Sequence, residues 1–437
     1  MTDEITFLIC NRVGLYSALP VIAKVTRQGA RVVLVCREPV RVLAKQVLPD
    51  PSVSLVALEP IEAEHRWAHY LHSMLLQTFT DLRFSKHYRD LRTNLAARDG
   101  DKWRSAVLKL SRVAPSWPSD EVNHRLFEHV SRVLMNPFPT RRIVAVSQAD
   151  VPHLLCARSQ EVITLMESWD HPFKSPAGYS SALVIPWNRD LGADWTHFQG
   201  DSNLVIGFPL KLRYALERAA PTIDLERANG EKVAMYAACT SSLDYPGYRR
   251  WFLDELKLIR DVARATQRAG WRLLIKPKPN GFAGEFDELS SEFSHVGVGA
   301  YGGSSSRSSV INYYLDDEYN SARLAELASC DIVINYGTTF ALDAAAANRP
   351  VLQLDARGSH CYPEVANALK RYHLERYFLG DPELTMRVSD GLLVEQLAGF
   401  LDRIDSRPAR MTRWIRAWLT EECSDAAIDR IARAVTQ

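Results

Sequence analysis

Residues 331 to 355 read DIVINYGTTFALDAAAANRPVLQLD, and this stretch restricts the fold more than any other. DIVIN is a β-branched run, FALDAAAANR is rich in helix formers and PVLQLD is a second apolar run, which predicts one strand-turn-helix-strand unit. Strands joined through a helix lie parallel. The helix is expected to begin near Thr339, with its free N–H groups and positive dipole end facing whatever lies beyond the first strand. Thr338 and Thr339 add two hydroxyls there, and a phosphate suits such a pocket. The competing reading is local: one of the two threonines only caps the helix.

The remainder of the 437 residues divides into two α/β halves, because the chain is too long for one ordinary core. EITFLIC, NRVGLYSALPVIAKVTRQG and ARVVLVC give strand, helix and strand, followed by the strand candidates VSLVAL, RIVAVS, HLLCAR, EVITLM, ALVIPW and NLVIGFP. Residues 60 to 135 carry Arg, His, Leu and Trp at helical spacing and predict a helical insertion in this half. The polar stretch APTIDLERANGEK reads as a linker. The second half runs from KVAMYAACT through the helix YRRWFLDELKLIRDVARATQRAG to WRLLIKPKP, DIVIN and PVLQLD. GGSSSRSSV, residues 302 to 310, is the one low-complexity segment and reads as a loop.

A formal net charge of +1 argues against a general nucleic-acid binder. Seven cysteines stand without a C-x-x-C pair or a tight cluster, which indicates neither a disulfide framework nor a zinc site and fits a reducing compartment. MTDEITFLIC lacks a basic start followed by a long apolar run, and no stretch approaches a membrane span. The expected location is the cytoplasm, with peripheral contact at the inner face of the cell membrane left open. His65, His69 and His72 share a helical face in the insertion, and an amphipathic helix explains them better than a metal site.

Parallel sheets bind ligands outside the carboxyl ends of their strands, where ACTSS, KPKP and YGTT would meet. Lys276 and Lys278 follow the strand WRLLI, with Pro277 and Pro279 fixing the turn, so both are expected outside the core with their charges directed at phosphate. Thr240 and Ser241 either donate to the same phosphate or cap the next helix.

The ordered set NLVIGFP, LIKPKPN, ARLAELASCDIVINYGTTFALDAAAANRPVLQLD and CSDAAIDRIARAV resembles GT-B glycosyltransferases of the bacterial surface or capsular polysaccharide type. MESWDHPFKSPAGYSSALVIPWNRD is similar to a first-domain segment of the same family. Relatives of this pattern include Kdo transferases and CDP-glycerol glycerophosphotransferases. The resemblance implies an α/β fold of two Rossmann-like domains facing a central cleft. An acceptor domain would span 1 to 215, a nucleotide-donor domain 216 to 418, and a helix at the domain junction 419 to 437. It implies that Gly337, Thr338 and Thr339 bind donor phosphate and that Asp343 stands where many relatives hold the nucleotide ribose. Two residues depart from the pattern: Asp343 replaces a commoner glutamate, and Lys278 replaces the histidine of a K-P-H-P turn.

Group transfer needs a group that activates the acceptor hydroxyl. Glu167 and Asp170 follow EVITLM at its carboxyl end, and Asp170 is the first choice of base, with His171 second. Glu167 is the less favoured carboxylate by strand alternation, and both acids have a bland alternative as a turn cap or a solvated strand end. Asn11, Arg12 and Gly14 form the first strand-to-helix turn, which faces acceptor in this architecture. The chain has no intact G-x-G-x-x-G there, which disfavours a redox dinucleotide site.

The expected activity is transfer of a sugar from a nucleotide-sugar donor to a capsule, O-antigen or lipopolysaccharide-type glycan, the acceptor being a glycan or lipid-linked. No metal or further cofactor is expected. Alternatives on the same fold are a CDP-glycerol-type phosphotransferase, a sugar-nucleotide epimerase or a catalytically silent binding or assembly protein.

Overall fold

The structure is a computed structural model that describes residues 4–9, 11–58, 138–146, 160–167, 181–199, 201–207, 230–240, 246–278, 284–299, 317–357, 359–362, 385–404 and 425–437. The helical insertion, the linker and the Gly/Ser-rich segment expected from the sequence lie outside these residues. The chain forms two compact units, one of residues up to Lys211 together with Leu419–Gln437, the other chiefly Leu212–Trp418.

Each unit is built on one parallel sheet. The first contains β1 (Glu4–Ile9), β2 (Arg31–Cys36), β3 (Val53–Ala57), β4 (Arg142–Ala145), β5 (Glu161–Leu165), β6 (Leu183–Ile185) and β7 (Asn203–Leu204) in the order β3-β2-β1-β4-β5-β6-β7. The second contains β8 (Val233–Ala237), β9 (Arg272–Lys276), β10 (Val296–Val298), β11 (Ile332–Asn335), β12 (Val351–Asp355) and β13 (Thr385–Arg387) in the order β10-β9-β8-β11-β12-β13. Strand composition explains the layering. FLI in β1, VVLVC in β2 and all of VLQLD in β12 are buried, as strands covered on both faces must be. At the edge, β3 alternates between half-buried and exposed positions instead. In both sheets the order turns back beside the first strand, between β1 and β4 and between β8 and β11, and a doubly wound sheet opens its ligand crevice at such a point.

Among the described residues, the first unit contains the helices α1 (Arg12–Arg27), α2 (Glu38–Val47) and α3 (Arg189–Gln199). Those of the second are α4 (Pro246–Arg268), α5 (Asp287–Glu292), α6 (Asp317–Ser329), α7 (Phe340–Ala346) and α8 (Leu393–Arg403). No described helix is long and apolar enough to cross a membrane. Hydroxyls enclosed by the first sheet pair with one another, Thr6 with Thr140 at 2.7 Å and Thr164 with Ser181 at 2.6 Å, so their burial leaves none of them stranded.

The last helix, α9 (Asp425–Thr436), returns to the first unit and packs on α1. Its apolar stripe of Ala427, Ile428, Ile431, Ala432 and Val435 is buried, and Asp429 pairs with Lys24 of α1 at 2.5 Å. Two arginines fasten it further, Arg430 donating to the Ile206 carbonyl and Arg142 to that of Val435. The G-x-P sequence after β7 has a packing reason. A Cβ on Gly207 would lie 3.0 Å from Ile185 and 3.2 Å from Ile431, so only glycine admits both side chains without displacement. Ile431→Ala should therefore cost ~2–5 kcal/mol of stability through the cavity it leaves, and Gly207→Ala ~1–3 kcal/mol through overpacking. Both losses are measurable by denaturant unfolding.

Candidate functional site

The carboxyl edge of the second sheet is organised around the end of β11. Asn335 is fully buried, and its side-chain amide donates to Gln353 Oε1 of β12 at 2.6 Å. Gln353 Nε2 in turn donates to the Tyr336 carbonyl at 2.8 Å, while Asn335 Oδ1 accepts from the Thr338 N–H at 3.3 Å. This amide pair fixes the Tyr336-Gly337-Thr338-Thr339 turn from beneath. Thr338 Oγ1 accepts from the Phe340 N–H at 3.2 Å, so Thr338 does the capping. Thr339 occupies the N-cap position of α7 without a side-chain capping bond.

Lys276 closes β9 and differs from the expectation. Its side chain is 3 % exposed, not superficial, and Nζ lies 2.6 Å from Glu326 Oε2 of α6. Burial pushes this ammonium below the usual lysine range; Glu326 opposes that effect and the nearby Arg323 adds to it. Arg323, three residues before Glu326 on α6, is 5 % exposed and its Nη1 donates to Asp343 in the first turn of α7. Asp343 is thus engaged by a guanidinium through Oδ1. Lys278 is half-buried two residues beyond Lys276.

Thr240, just beyond β8, also differs from its expected role. Its hydroxyl and its N–H both bond Glu255 Oε2, the latter at 2.8 Å, so the side chain holds helix α4 and not a phosphate. Glu255 Oε1 accepts from the Cys239 N–H at 2.7 Å and from the Tyr236 hydroxyl at 3.0 Å. Burial raises the Glu255 pKa, while the bonds from Thr240, Cys239 and Tyr236 pull it down. On the far side of the turn, Asp355 ends β12 in an ion pair with Arg357 at 2.7 Å.

In the first unit, the turn before α1 and the end of β5 come together. Asn11 caps α1 through Oδ1, which accepts from the Gly14 N–H at 2.7 Å, and its Nδ2 donates to Glu167 Oε1 at 3.2 Å. Glu167 Oε2 lies 3.1 Å from where a Cβ on Gly14 would stand, so the glycine leaves room for the carboxylate against the positive end of a 16-residue helix. Glu167, the carboxylate that strand alternation made the less favoured, thus faces the Asn11 turn. Strand alternation stops governing its direction because β5 ends at Leu165. The Arg12 side chain, Asp170, His171 and Ser241 lie outside the described residues.

Sequence reasoning missed Arg323, Glu326 and Glu255. The first two stand at i and i+3 in ARLAE, a spacing that marks a shared helical face but reads as solvated until a partner is known.

No known family model matches the chain, and no curated protein matches it. Solved structures do. Arabidopsis thaliana UGT89C1 in complex with UDP superposes with a TM-score of 0.51 at 10 % identity, covering 100 % of each chain. The calicheamicin glycosyltransferase CalG4 gives 0.48 at 12 % identity over 100 % of this chain and 97 % of its own. Acinetobacter baumannii MurG gives 0.47 at 8 % identity over 99 % of each chain. Two parallel sheets with helices and the match to UGT89C1 over the whole chain define a GT-B fold.

Glu255→Gln should destabilise the protein by ~1–3 kcal/mol, because the amide presents N–H groups to donors that need an acceptor. The folded pKa of Glu255 is raised, so its contribution to stability is complete below the ordinary carboxylate range and declines as pH rises through it. The stability gap between wild type and variant should narrow as pH rises above the ordinary carboxylate range in denaturant titrations.

Proposed function

We propose that the protein transfers a sugar from a nucleotide-sugar donor to an acceptor hydroxyl, with the second unit binding the donor and the first unit supplying the base. The observation that carries this reading is the Asn335–Thr339 turn, braced by Gln353 at the switch point of the second sheet in a GT-B fold. UGT89C1, which shares the fold, was solved with UDP and with UDP-L-rhamnose. Fold alone does not carry activity. The turn, the Thr339 hydroxyl and the Lys278 ammonium supply what a leaving nucleoside diphosphate needs: N–H and O–H donors and a cation.

On the acceptor side the reading assigns the base to Glu167. Its carboxylate takes the hydroxyl proton as the acceptor oxygen bonds to the anomeric carbon, the bond from that carbon to the diphosphate breaks, and the nucleoside diphosphate leaves with the electron pair. Asn11 holds the carboxylate in place, and Gly14 leaves room for it. Asp170, three residues on, is the carboxylate the test must separate from it. The ordered motifs from NLVIGFP to CSDAAIDRIARAV favour a bacterial surface glycan as acceptor, with the cytoplasmic face of the membrane as the place of work.

A thermal-shift screen with UDP, GDP, CMP, CDP and dTDP should single out one nucleotide that raises the melting temperature. With the matching labelled nucleotide-sugar, Glu167→Gln should keep nucleotide affinity and lower transfer ~100-fold to 10,000-fold, with a smaller effect from Asp170→Asn. A larger loss in Asp170→Asn moves the base to that residue. Binding of no nucleotide sinks the reading.

A further inference from the structure

We propose that Lys276 does not contact the donor phosphates. It acts as a positioning residue in a four-charge clamp, Lys276–Glu326 and Arg323–Asp343, that holds both walls of the nucleotide site. The assignment rests on the nucleotide-binding reading of the second unit.

The clamp follows from where α6 places its charges. Arg323 and Glu326 lie on one face of α6, yet they reach different elements: Arg323 the first turn of α7, Glu326 the end of β9. Those targets stand on opposite sides of β8, because the sheet runs β9-β8-β11 and α7 follows β11. One helix thus ties the end of β9 to the helix that follows β11, across β8. The chain also makes space for the contact. A Cβ on Gly299, just past β10, would sit 3.0 Å from Glu326 Oε1, so this carboxylate is enclosed between the Lys276 ammonium and the backbone of residue 299.

Charge balance decides between positioning and direct binding. Two cations and two carboxylates sum to zero, and each cation already has a carboxylate partner within the protein. A phosphate drawing Lys276 to itself would pull it off Glu326 at a site where the lysine is 3 % exposed, and breaking such an ion pair by drawing one partner away is strongly unfavourable. Lys278, half-buried and directly after Pro277, can meet a phosphate without opening the clamp. Asp343 has the same duty as Lys276: it orients Arg323.

The test uses whichever of UDP, GDP, CDP and dTDP most raises the wild-type melting temperature, with affinity measured by calorimetry. Lys276→Met should weaken binding ~10-fold or more by removing the cation that pairs with Glu326, and Glu326→Gln should do likewise by removing the carboxylate that pairs with Lys276. The double variant Lys276→Met/Glu326→Gln, in which neither charge remains, should return to within ~3-fold of wild type. Lys278→Met should weaken binding ~10-fold, with no rescue by Glu326→Gln. A double variant that binds as weakly as Lys276→Met, or more weakly, overturns the proposal and makes Lys276 a phosphate ligand. If Lys276→Met alone does not fold, the double variant still decides, since it lacks the lysine altogether. A wild type that binds none of the four nucleotides overturns the functional reading and this assignment with it, and is told apart because no variant is needed to see it.

Discussion

Burial of both faces of each parallel sheet is the constraint on which the rest of the structure depends. Once helices cover a sheet above and below, the strand ends are where its polar groups can meet a ligand. A strand end is also where backbone leaves the ladder, so its polar groups need other partners. The second unit answers this with side chains drawn from neighbouring elements: Gln353 for the turn after β11 and Glu255 for the segment after β8, while Glu326 pairs with the lysine side chain that ends β9. The same groups that make the edge satisfiable also make it stiff. A preorganised edge loses little freedom when it takes up a ligand.

Continuity of apolar runs made the sheets legible in the sequence. ARVVLVC, DIVIN and PVLQLD are each too apolar to be half-exposed, and each is a fully or almost fully buried strand. The βα unit at residues 331 to 355 was readable for the same reason, down to a helix starting beside Thr339. The role of Thr338 was readable only as a pair of alternatives, because a hydroxyl before a helix can cap it or meet an anion and the residue type is the same for both.

The ionic partners were not legible. A lysine after a strand looks like a surface charge, since lysine is seldom buried unless it is paired. What buries Lys276 is Glu326, fifty residues later, and nothing local in IKPKP announces it. The Asn11–Glu167 contact was not legible for a different reason: the period-2 rule does not reach past the last residue of the strand, where the chain turns the carboxylate back toward Asn11. Pairings that link distant segments need the fold before they can be read.

The return of α9 to the first unit bears on the order in which the chain can be completed. Translation proceeds from the N-terminus and domains fold as units. The seven described strands of the first unit are complete by residue 204, but the helix that covers α1 and packs on Gly207 is encoded after the second unit. During synthesis the first unit therefore waits with part of its surface uncovered while more than two hundred residues of the second emerge. The second unit has no such debt and can close as soon as Trp418 clears the ribosome. The unit begun first is finished last, and its apolar α1 face is the surface that a nascent-chain chaperone would meet.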